Sequence, residues 1–315
     1  MSQAQLMIST DLPGEDPREP FLKIADPPPV RGWGHLGLNP RLVRHIVRVA
    51  LPVVVGMLTQ TAINILDTVM VGRLPKEIAN PGQAGIGLAL PMMWLVGGFL
   101  SSVWVGTQAI TSRRAGEGND RQAGRALTNS LLISTSTGFI FCLTAYHIAP
   151  PLIGALYADP TVVALGTDYL QIRLLGVLAM ACTFSFKSFF DGIGRTRVFM
   201  VVAMIMNVTN VALNFLLIYG NETLGVPMLG VAGAAWASAI GAYTGLALLA
   251  LWSFRPALVK RYHHYNPLQI SVRVVREIIR LSLPNGLATV VVMVGFSTFY
   301  WIVGKVSELH NEVGN

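Results

Sequence analysis

Seven apolar stretches, each long enough to cross a lipid bilayer, dominate this 315-residue sequence and leave few choices of fold. A helix of about 20 mostly apolar residues spans a hydrocarbon core roughly 30 Å thick. We therefore predict an all-α polytopic membrane protein with about seven transmembrane helices. The predicted segments cover 46–72, 84–110, 125–149, 162–187, 197–219, 228–253 and 277–304.

The composition indicates the same class of protein. Apolar residues make up 52% of the chain and charged residues only 12%, with a mean hydropathy of +0.54, whereas soluble domains carry about 25% charged residues. The net charge of +7 comes from basic residues in short segments between the apolar stretches, as membrane topology requires. We expect no nucleic-acid partner. Cys142 and Cys182 both fall inside apolar segments, so we predict no disulfide.

The basic residues of the connecting loops predict the orientation in the membrane. Thirteen Lys and Arg residues fall in the second, fourth and sixth loops, against two in the other three loops. Because cytoplasmic loops are enriched in Lys and Arg, we place the amino terminus and these three loops in the cytoplasm and the protein in the plasma (inner) membrane. The thirteen are Arg113, Arg114, Arg121, Arg125, Lys187, Arg195, Arg197, Arg255, Lys260, Arg261, Arg273, Arg276 and Arg280; the two are Arg73 and Lys76.

An internal repeat relates the first and the last apolar segments. Residues 276–305 align without gaps on 44–73, with seven identities in thirty positions, grouped at the two helix ends. An offset of six helices keeps both copies in the same orientation, which predicts parallel repeats. Residues 1–40 are Pro-rich and poor in apolar residues, so we expect a disordered cytoplasmic tail. A first six-helix lobe (41–254), a basic linker at the cytoplasmic membrane surface (255–275) and the truncated first helix of a second lobe (276–315) are expected to follow.

One carboxylate lies inside the first apolar segment. Asp67 has Asn64 and Gln60 on the same helical face, at i−3 and i−7. An ionisable residue inside a membrane is costly and by default marks an ion or substrate path. The alternative is a structural acid that binds a neighbouring helix end or pairs with Arg73 or Lys76.

Two further sets of polar residues fall inside predicted membrane segments. Asn207, Asn210 and Asn214 share one helical face and could either complete the oxygen shell of a cation or form interhelical hydrogen bonds. Arg173 either pairs with an acid or helix-end carbonyls, or extends to the outer interface. We expect the Gly- and Ala-rich stretch 230–245 to be a close-packing surface without a ligand role.

Sequence motifs for common enzymes and metal centres are absent from the chain. There is no CxxC, HExxH, GxxxxGK[ST] or GxSxG pattern, and the adjacent His263 and His264 do not share a helix face. We predict no enzymatic activity, no resident cofactor and no metal centre apart from a possible coupling-ion site.

Several motifs, in order, resemble those of one transporter family. LDTVMVGRL (66–74), GTQAITSRRAGEGNDRQAGRA (106–126), FFDGIGRTR (189–197) and NVTNVALNFLLIYG (207–220) followed by VPMLGVAGAAWAS (226–238) are similar to multidrug and toxic compound extrusion (MATE) transporters. The resemblance implies two six-helix lobes, so that about seven of an expected 12 helices are present. It also implies a secondary antiporter that exports cationic or amphipathic compounds in exchange for Na⁺ or H⁺. We expect the protein to be a monomer.

The same resemblance implies roles for individual residues. Asp67 matches the acid of the family's amino-terminal cation site, and Asn210 matches an Asn that supports it. Asn214 stands where some members have a second acid, so we expect Asp67 to be the only carboxylate in the interior of this lobe. Independently of the resemblance, the helical faces described above add Asn64, Gln60 and Asn207 to the possible Na⁺ or H⁺ site.

Two alternatives to the antiporter remain open at this point. A flippase for lipid-linked saccharides, built on a related fold, would line its cavity with several basic residues, and Arg173 is the one candidate. A non-transporting truncated membrane protein would keep the apolar helices without a polar stripe. Because the chain ends at Asn315 after seven apolar segments, we expect it to be a fragment of a longer protein.

Overall fold

Nine α-helices make up most of the computed structural model, which describes residues 40–157 and 159–313. Residues 1–39, almost all of the predicted tail, lie outside the described residues. The helices are α1 (Pro40–Val71), α2 (Lys76–Ser101), α3 (Val103–Gly116), α4 (Asp120–Leu156), α5 (Pro160–Gly192), α6 (Thr196–Tyr219), α7 (Gly230–Ser253), α8 (Pro256–Tyr262) and α9 (Val272–Val313). With α2 and α3 counted as one broken span, seven segments of the described chain are long and apolar enough to cross a membrane. The predicted all-α membrane fold is therefore confirmed.

Local sequence signals set the starts of the two long central helices. Asn119 precedes α4, and its side-chain oxygen accepts a hydrogen bond from the Gln122 N–H at 3.2 Å. Asp159 accepts from the Thr161 N–H at 2.8 Å, and Pro160 occupies the first position of α5. An oxygen at the cap satisfies a backbone N–H that has no partner within the helix, and proline at the first position lacks that N–H altogether.

Two glycine turns shape what we call the basic end of the bundle, the end that carries the α3–α4, α5–α6 and α7–α9 connections. Gly118 and Gly194 have φ values of +74° and +79°, which side chains with a Cβ rarely adopt. Each lies shortly after a helix, where the following N–H groups return to helix carbonyls, as in Arg195 N–H to Phe190 O at 2.7 Å. These glycines are part of the motifs at 106–126 and 189–197.

The α5 helix forms the centre of the bundle and packs against α2, α3, α4 and α7. Small residues allow these helices to approach closely. A Cβ on Gly85 of α2 would lie 2.9 Å from the Gly166 backbone nitrogen, and one on Gly233 of α7 would lie 2.4 Å from the Leu217 carbonyl of α6. Close backbone approach at small residues is the common way to pack membrane helices, and it supports the close-packing role predicted for the stretch 230–245.

The repeat helix α9 contacts α2, α3 and α4, near the break between α2 and α3. The Gly106 N–H donates to Ser282 Oγ at 3.1 Å, and a Cβ on Gly106 would lie 2.5 Å from the Ile278 carbonyl. Most of the remaining α9 side chains are exposed. Further along, a Cβ on Gly87 of α2 would lie 3.7 Å from the Tyr300 ring, so α9 contacts the bundle with one face over much of its length.

The connection between α7 and α9 is bound firmly to α4. Arg125 Nε and Asn129 Nδ2 donate to the Gln269 carbonyl at 2.8 and 3.0 Å, and the Ser271 N–H donates to Asn129 Oδ1 at 2.8 Å. Within the connection, the His264 ring is buried and donates from Nε2 to the Ser253 carbonyl at 2.9 Å. Burial lowers the pKa of His264, an effect that the hydrogen bond to Ser253 partly offsets.

Candidate functional site

The Asp67 carboxylate lies one turn before the end of α1 and is fully buried, with a relative exposure of 0%. Its Oδ1 accepts a hydrogen bond from Asn214 Nδ2 of α6 at 2.7 Å, and its Oδ2 accepts from Ser238 Oγ of α7 at 2.5 Å. A single side chain therefore links three helices. The hydrogen bonds of Asp67 go to these neighbours rather than to the rim residues Arg73 and Lys76.

Asn210 completes what we call the Asp67 cluster, made of Asp67, Asn210, Asn214 and Ser238. Asn210 Nδ2 donates to Ser238 Oγ at 3.1 Å, and Asn210 Oδ1 accepts from Asn214 Nδ2 at 3.2 Å. All four residues are buried. The Asn214 Oδ1 atom is also buried and has no hydrogen-bond partner. The cluster thus contains a carboxylate and one unused amide oxygen.

The local fold explains why these residues meet. Asn210 and Asn214 are one turn apart on the same face of α6. A short connection closed by paired hydrogen bonds between Asn221 and Val226 (2.8 and 3.0 Å) turns the chain back into α7. Ser238 therefore lies opposite this face of α6. The contact of α1 with α6 then brings Asp67 to the same point.

Not all of the predicted polar residues join the cluster. Asn207 is half-buried, and its Oδ1 has no hydrogen-bond partner. Asn64 points to Arg173 instead of Asp67, and the side chain of Gln60 lies outside the described residues. Of the six residues predicted for an ion site, the structure therefore brings Asp67, Asn210 and Asn214 together.

Arg173 lies half-buried inside the helix bundle. Its Nη2 donates to Asn64 Oδ1 at 3.2 Å, its Nε lies 3.2 Å from Met93 Sδ, and its guanidinium lies 5.9 Å from the centre of the Tyr169 ring. Within the described chain no carboxylate oxygen comes within 4.0 Å of it, although its charge interacts electrostatically with Asp67. The arginine therefore acts on the cluster at longer range.

Ser238 is a site residue that the sequence interpretation missed. It belongs to the stretch 230–245, for which packing alone was expected, and that expectation is wrong at this position because its hydroxyl donates to Asp67. Serine is also small enough to occur in close-packed membrane helices for purely steric reasons. Its place opposite Asn210 could be recognised only from the contact between α6 and α7.

Asp191 overturns the expectation that Asp67 is the only interior carboxylate of this lobe. Its side chain is 2% exposed and pairs at 2.7 Å with Lys187, which is 3% exposed. Lys187 was assigned to a loop, but α5 continues to Gly192. Opposite charges four residues apart on one helix neutralise each other, which is why the helix can remain buried beyond the predicted end at 187. The spacing K-x-x-x-D was the feature of the sequence from which this pair could have been predicted.

The family model for MatE matches residues 52–216, more than half of the chain. This chain belongs to the MATE family. It is 23% identical to the multidrug resistance protein PmpM of Pseudomonas aeruginosa over 267 residues, covering 84% of this chain and 55% of that protein. It is 25% identical to the probable multidrug resistance protein NorM of Thermotoga maritima over 287 residues, covering 87% of this chain and 58% of that protein.

Solved structures of transporters share the fold. A MOP superfamily transporter from Pyrococcus furiosus superimposes with a TM-score of 0.69 at 25% identity, covering 78% of this chain and 52% of that one. An outward-facing multidrug resistance MATE family transporter gives a TM-score of 0.68, with the same identity and coverage. The chain spans about half the length of the relatives that it matches.

A small cavity adjoins the Asp67 cluster of this MATE protein. It has a volume of about 40 Å³, and its lining includes Arg173, Asn210 and Ser238. A water molecule needs about 10–15 Å³ measured in this way, so the cavity has room for very few water molecules. Carboxylate, amide and hydroxyl oxygens are the groups that bind hard cations. The site is therefore suited chemically to a small cation or a proton.

Proposed function

We propose that this chain provides the ion-coupling lobe of a secondary active multidrug antiporter, which exports cationic or amphipathic compounds in exchange for Na⁺ or H⁺. The observation that supports the proposal is the Asp67 cluster, in which one buried carboxylate connects α1, α6 and α7. Membership of the MATE family and the similarity to multidrug resistance proteins support the class of cargo.

The cluster offers a physical route from ion binding to helix movement. The ionised carboxylate holds the side chains of Asn214 and Ser238 by two hydrogen bonds. Such bonds are worth about 1.5–3 kcal/mol to a charged partner and about 0.5–1.5 kcal/mol between neutral groups. Neutralising Asp67 with a cation or a proton therefore weakens the contacts of α1 with α6 and α7 by roughly 2–3 kcal/mol in total.

This energy is comparable to the driving force. One elementary charge crossing a potential of 100 mV releases about 2.3 kcal/mol. An ion that stops at Asp67 has crossed only part of this potential, so the shift between two packings of α1 comes from the weakened hydrogen bonds of the neutralised carboxylate. We infer that this shift alters the affinity for the exported compound. The movement of one lobe against the other would then open the binding site to the two sides of the membrane in turn.

We place the basic end of the bundle in the cytoplasm of a cell whose plasma membrane holds the protein, because positively charged connections stay on that side. In this orientation Asp67 is near the outer surface. It precedes the last residue of α1 by four positions, or about 6 Å along the helix. An ion entering from outside would therefore reach the carboxylate after a short path.

Export by cells that express the gene tests the proposal. Efflux of the fluorescent cation ethidium is measured with a Na⁺ gradient, with a proton gradient and with neither. We expect wild-type protein to export in one of the two gradients and Asp67→Asn to lose this dependence while still inserting into the membrane. Asp168→Asn, which changes an exposed acid of α5, is the matched control. Ion-driven export by Asp67→Asn at the wild-type rate would refute the role of Asp67, and no export by any variant would favour a non-transporting protein.

A further inference from the structure

A second buried charge site lies near the basic end of α5, away from the Asp67 cluster. Lys187 Nζ donates to Asp191 Oδ2 at 2.7 Å, and the two side chains are 3% and 2% exposed. The other carboxylate oxygen of Asp191 is buried and has no hydrogen-bond partner. Replacing a buried ion pair by apolar residues is often neutral or stabilising. The pair keeps this buried part of α5 electrically neutral, but two apolar residues would do so as well, so stability alone does not explain why charged residues are present here.

Two aromatic rings complete the surroundings of the ammonium group. Lys187 Nζ lies 5.7 Å from the centre of the Trp104 ring and 5.3 Å from the centre of the Phe199 ring. Trp104 belongs to α3 and Phe199 to α6, so three helices contribute to the arrangement. A carboxylate with aromatic faces is the chemistry by which proteins recognise organic ammonium ions. We call Asp191, Trp104 and Phe199 the ammonium cage.

A cavity of about 340 Å³ borders the cage. Lys187 is the one charged residue among the described residues that line it, and Asp191 is not in contact with the cavity. The remaining wall is aromatic and polar, with Trp94, Trp104, Phe184, Phe199, Asn64 and Asn285 among its residues. Lys187, whose stem is flexible, therefore contacts both the ligand-sized space and the buried carboxylate.

We propose that the cage is a binding site for organic ammonium compounds and that Lys187 occupies it as an internal competitor. A cationic compound in the cavity would replace the Lys187 ammonium group on Asp191. Lys187 would turn towards the rim of the cavity, where the lining residues Met57 and Thr61 are exposed, so that its ammonium group is hydrated. An anion in the same cavity would instead draw Lys187 away and leave Asp191 buried without a counter-ion, which is strongly unfavourable. The site deepens the proposed export of cationic compounds and rests on that function for its biological meaning.

Binding of benzyltrimethylammonium to the purified chain in lipid nanodiscs, measured by calorimetry without any ion gradient, tests the competition. Removing the competitor in Lys187→Met should tighten binding at least about tenfold, since a charged hydrogen bond no longer has to be displaced. The gain should disappear in Lys187→Met combined with Asp191→Asn. Lys260→Met, a change at an exposed lysine of α8, should bind as the wild type does. Unchanged or weaker binding by Lys187→Met, or a gain that survives in the double variant, would overturn the proposal.

A measurement on the wild-type chain covers the case in which Lys187→Met fails to fold. Amines that become exposed react with methyl acetimidate, and mass spectrometry identifies each modified lysine. We expect benzyltrimethylammonium to accelerate labelling of Lys187 and to leave labelling of Lys260 unchanged. Labelling of Lys187 that slows or does not change would contradict displacement. Both experiments are independent of transport, so a chain that exports nothing can still pass them, and one that fails them can still couple ions through Asp67.

Discussion

Exchanging the acid and the amide across the contact between α1 and α6 tests whether the Asp67 cluster binds the coupling ion. In Asp67→Asn the cluster loses its only carboxylate. Adding Asn214→Asp returns a carboxylate on the partner side chain, whose Nδ2 is 2.7 Å from Asp67 Oδ1. The nearest oxygens of the old and the new acid are thereby about one hydrogen-bond length apart, and the new acid still faces Asn210. We expect the single variant to lose ion binding and the exchanged variant to recover it.

The expected loss of ion affinity in Asp67→Asn is large because a carboxylate inside a protein attracts a cation strongly. A carboxylate and a monovalent cation about 4 Å apart attract each other by about 4 kcal/mol at an effective dielectric constant of 20. Loss of that attraction weakens binding by roughly a thousandfold. Bound ion at one hundred times its Kd raises the free energy of unfolding by about 2.7 kcal/mol, and Asp67→Asn should show almost none of this stabilisation.

Thermal unfolding of the purified chain provides the assay, and it does not require transport. Cys142 and Cys182 are free and buried, so a maleimide dye that fluoresces on reacting with thiols reports their exposure. The unfolding midpoint is recorded against NaCl concentration, with choline chloride keeping the ionic strength constant, and separately against pH. The wild type and the exchanged variant should show the same kind of ion dependence.

Asn207→Asp in the Asp67→Asn background is the matched control. It adds the same carboxylate to the same helix, but seven residues, or about 10 Å along the axis, from position 214. Asn207 is also not a member of the Asp67 cluster. If this control recovered ion-dependent stabilisation as well as the exchanged variant did, or if Asp67→Asn kept it, binding would not depend on the geometry described for the cluster.

Three further predictions concern the stability of the fold, each measured with the same thiol-exposure assay. Gly124→Ala should destabilise the chain by about 1–3 kcal/mol, because the new Cβ would clash with the Tyr262 backbone oxygen of α8. Gly154→Ala on the same helix would meet only the Val163 side chain, at 4.0 Å, and should be neutral or stabilising by about 0.5–1 kcal/mol; equal effects would refute the packing argument. Burial lowers the pKa of His264 below its usual 6.5, so the unfolded chain takes up a proton at a higher pH than the folded chain does. The free energy of unfolding should therefore decline below about pH 6.5. His264→Gln should lack this part of the pH dependence, and an unchanged pH profile in that variant would contradict the role of His264. Asn129→Ala should lower the free energy of unfolding by about 1–3 kcal/mol, because the Ser271 N–H loses its acceptor. It should also accelerate proteolysis of the α7–α9 connection. Cleavage at the wild-type rate would show that this hydrogen bond does not hold the connection in place.

Much of the architecture could be predicted from the chain itself. The number of spanning helices follows from the lengths of the apolar stretches, because the thickness of the bilayer sets the length that a spanning helix needs. The predicted ends of the helices were less accurate. The broken span extends from Lys76 to Gly116, against a predicted 84–110, because the helix continues through exposed polar residues at both ends, Lys76 and Glu77 at its start and Arg113 near its end. Likewise, α5 runs five residues beyond 187 because Lys187 and Asp191 neutralise each other within the helix.

For the site, the sequence by itself determined which residue types lie at which face of each helix. It singled out Asp67 as a costly charge in an apolar helix and placed Asn210 and Asn214 on one face of another. Only the tertiary structure decided their partners, because helical periodicity says nothing about which face of which helix a residue will meet. Asp67 meets Asn214 across 147 positions of the chain and Ser238 across 171. These contacts arise from the packing of α1, α6 and α7, and the same packing left Asn207 outside the cluster and turned Asn64 towards Arg173.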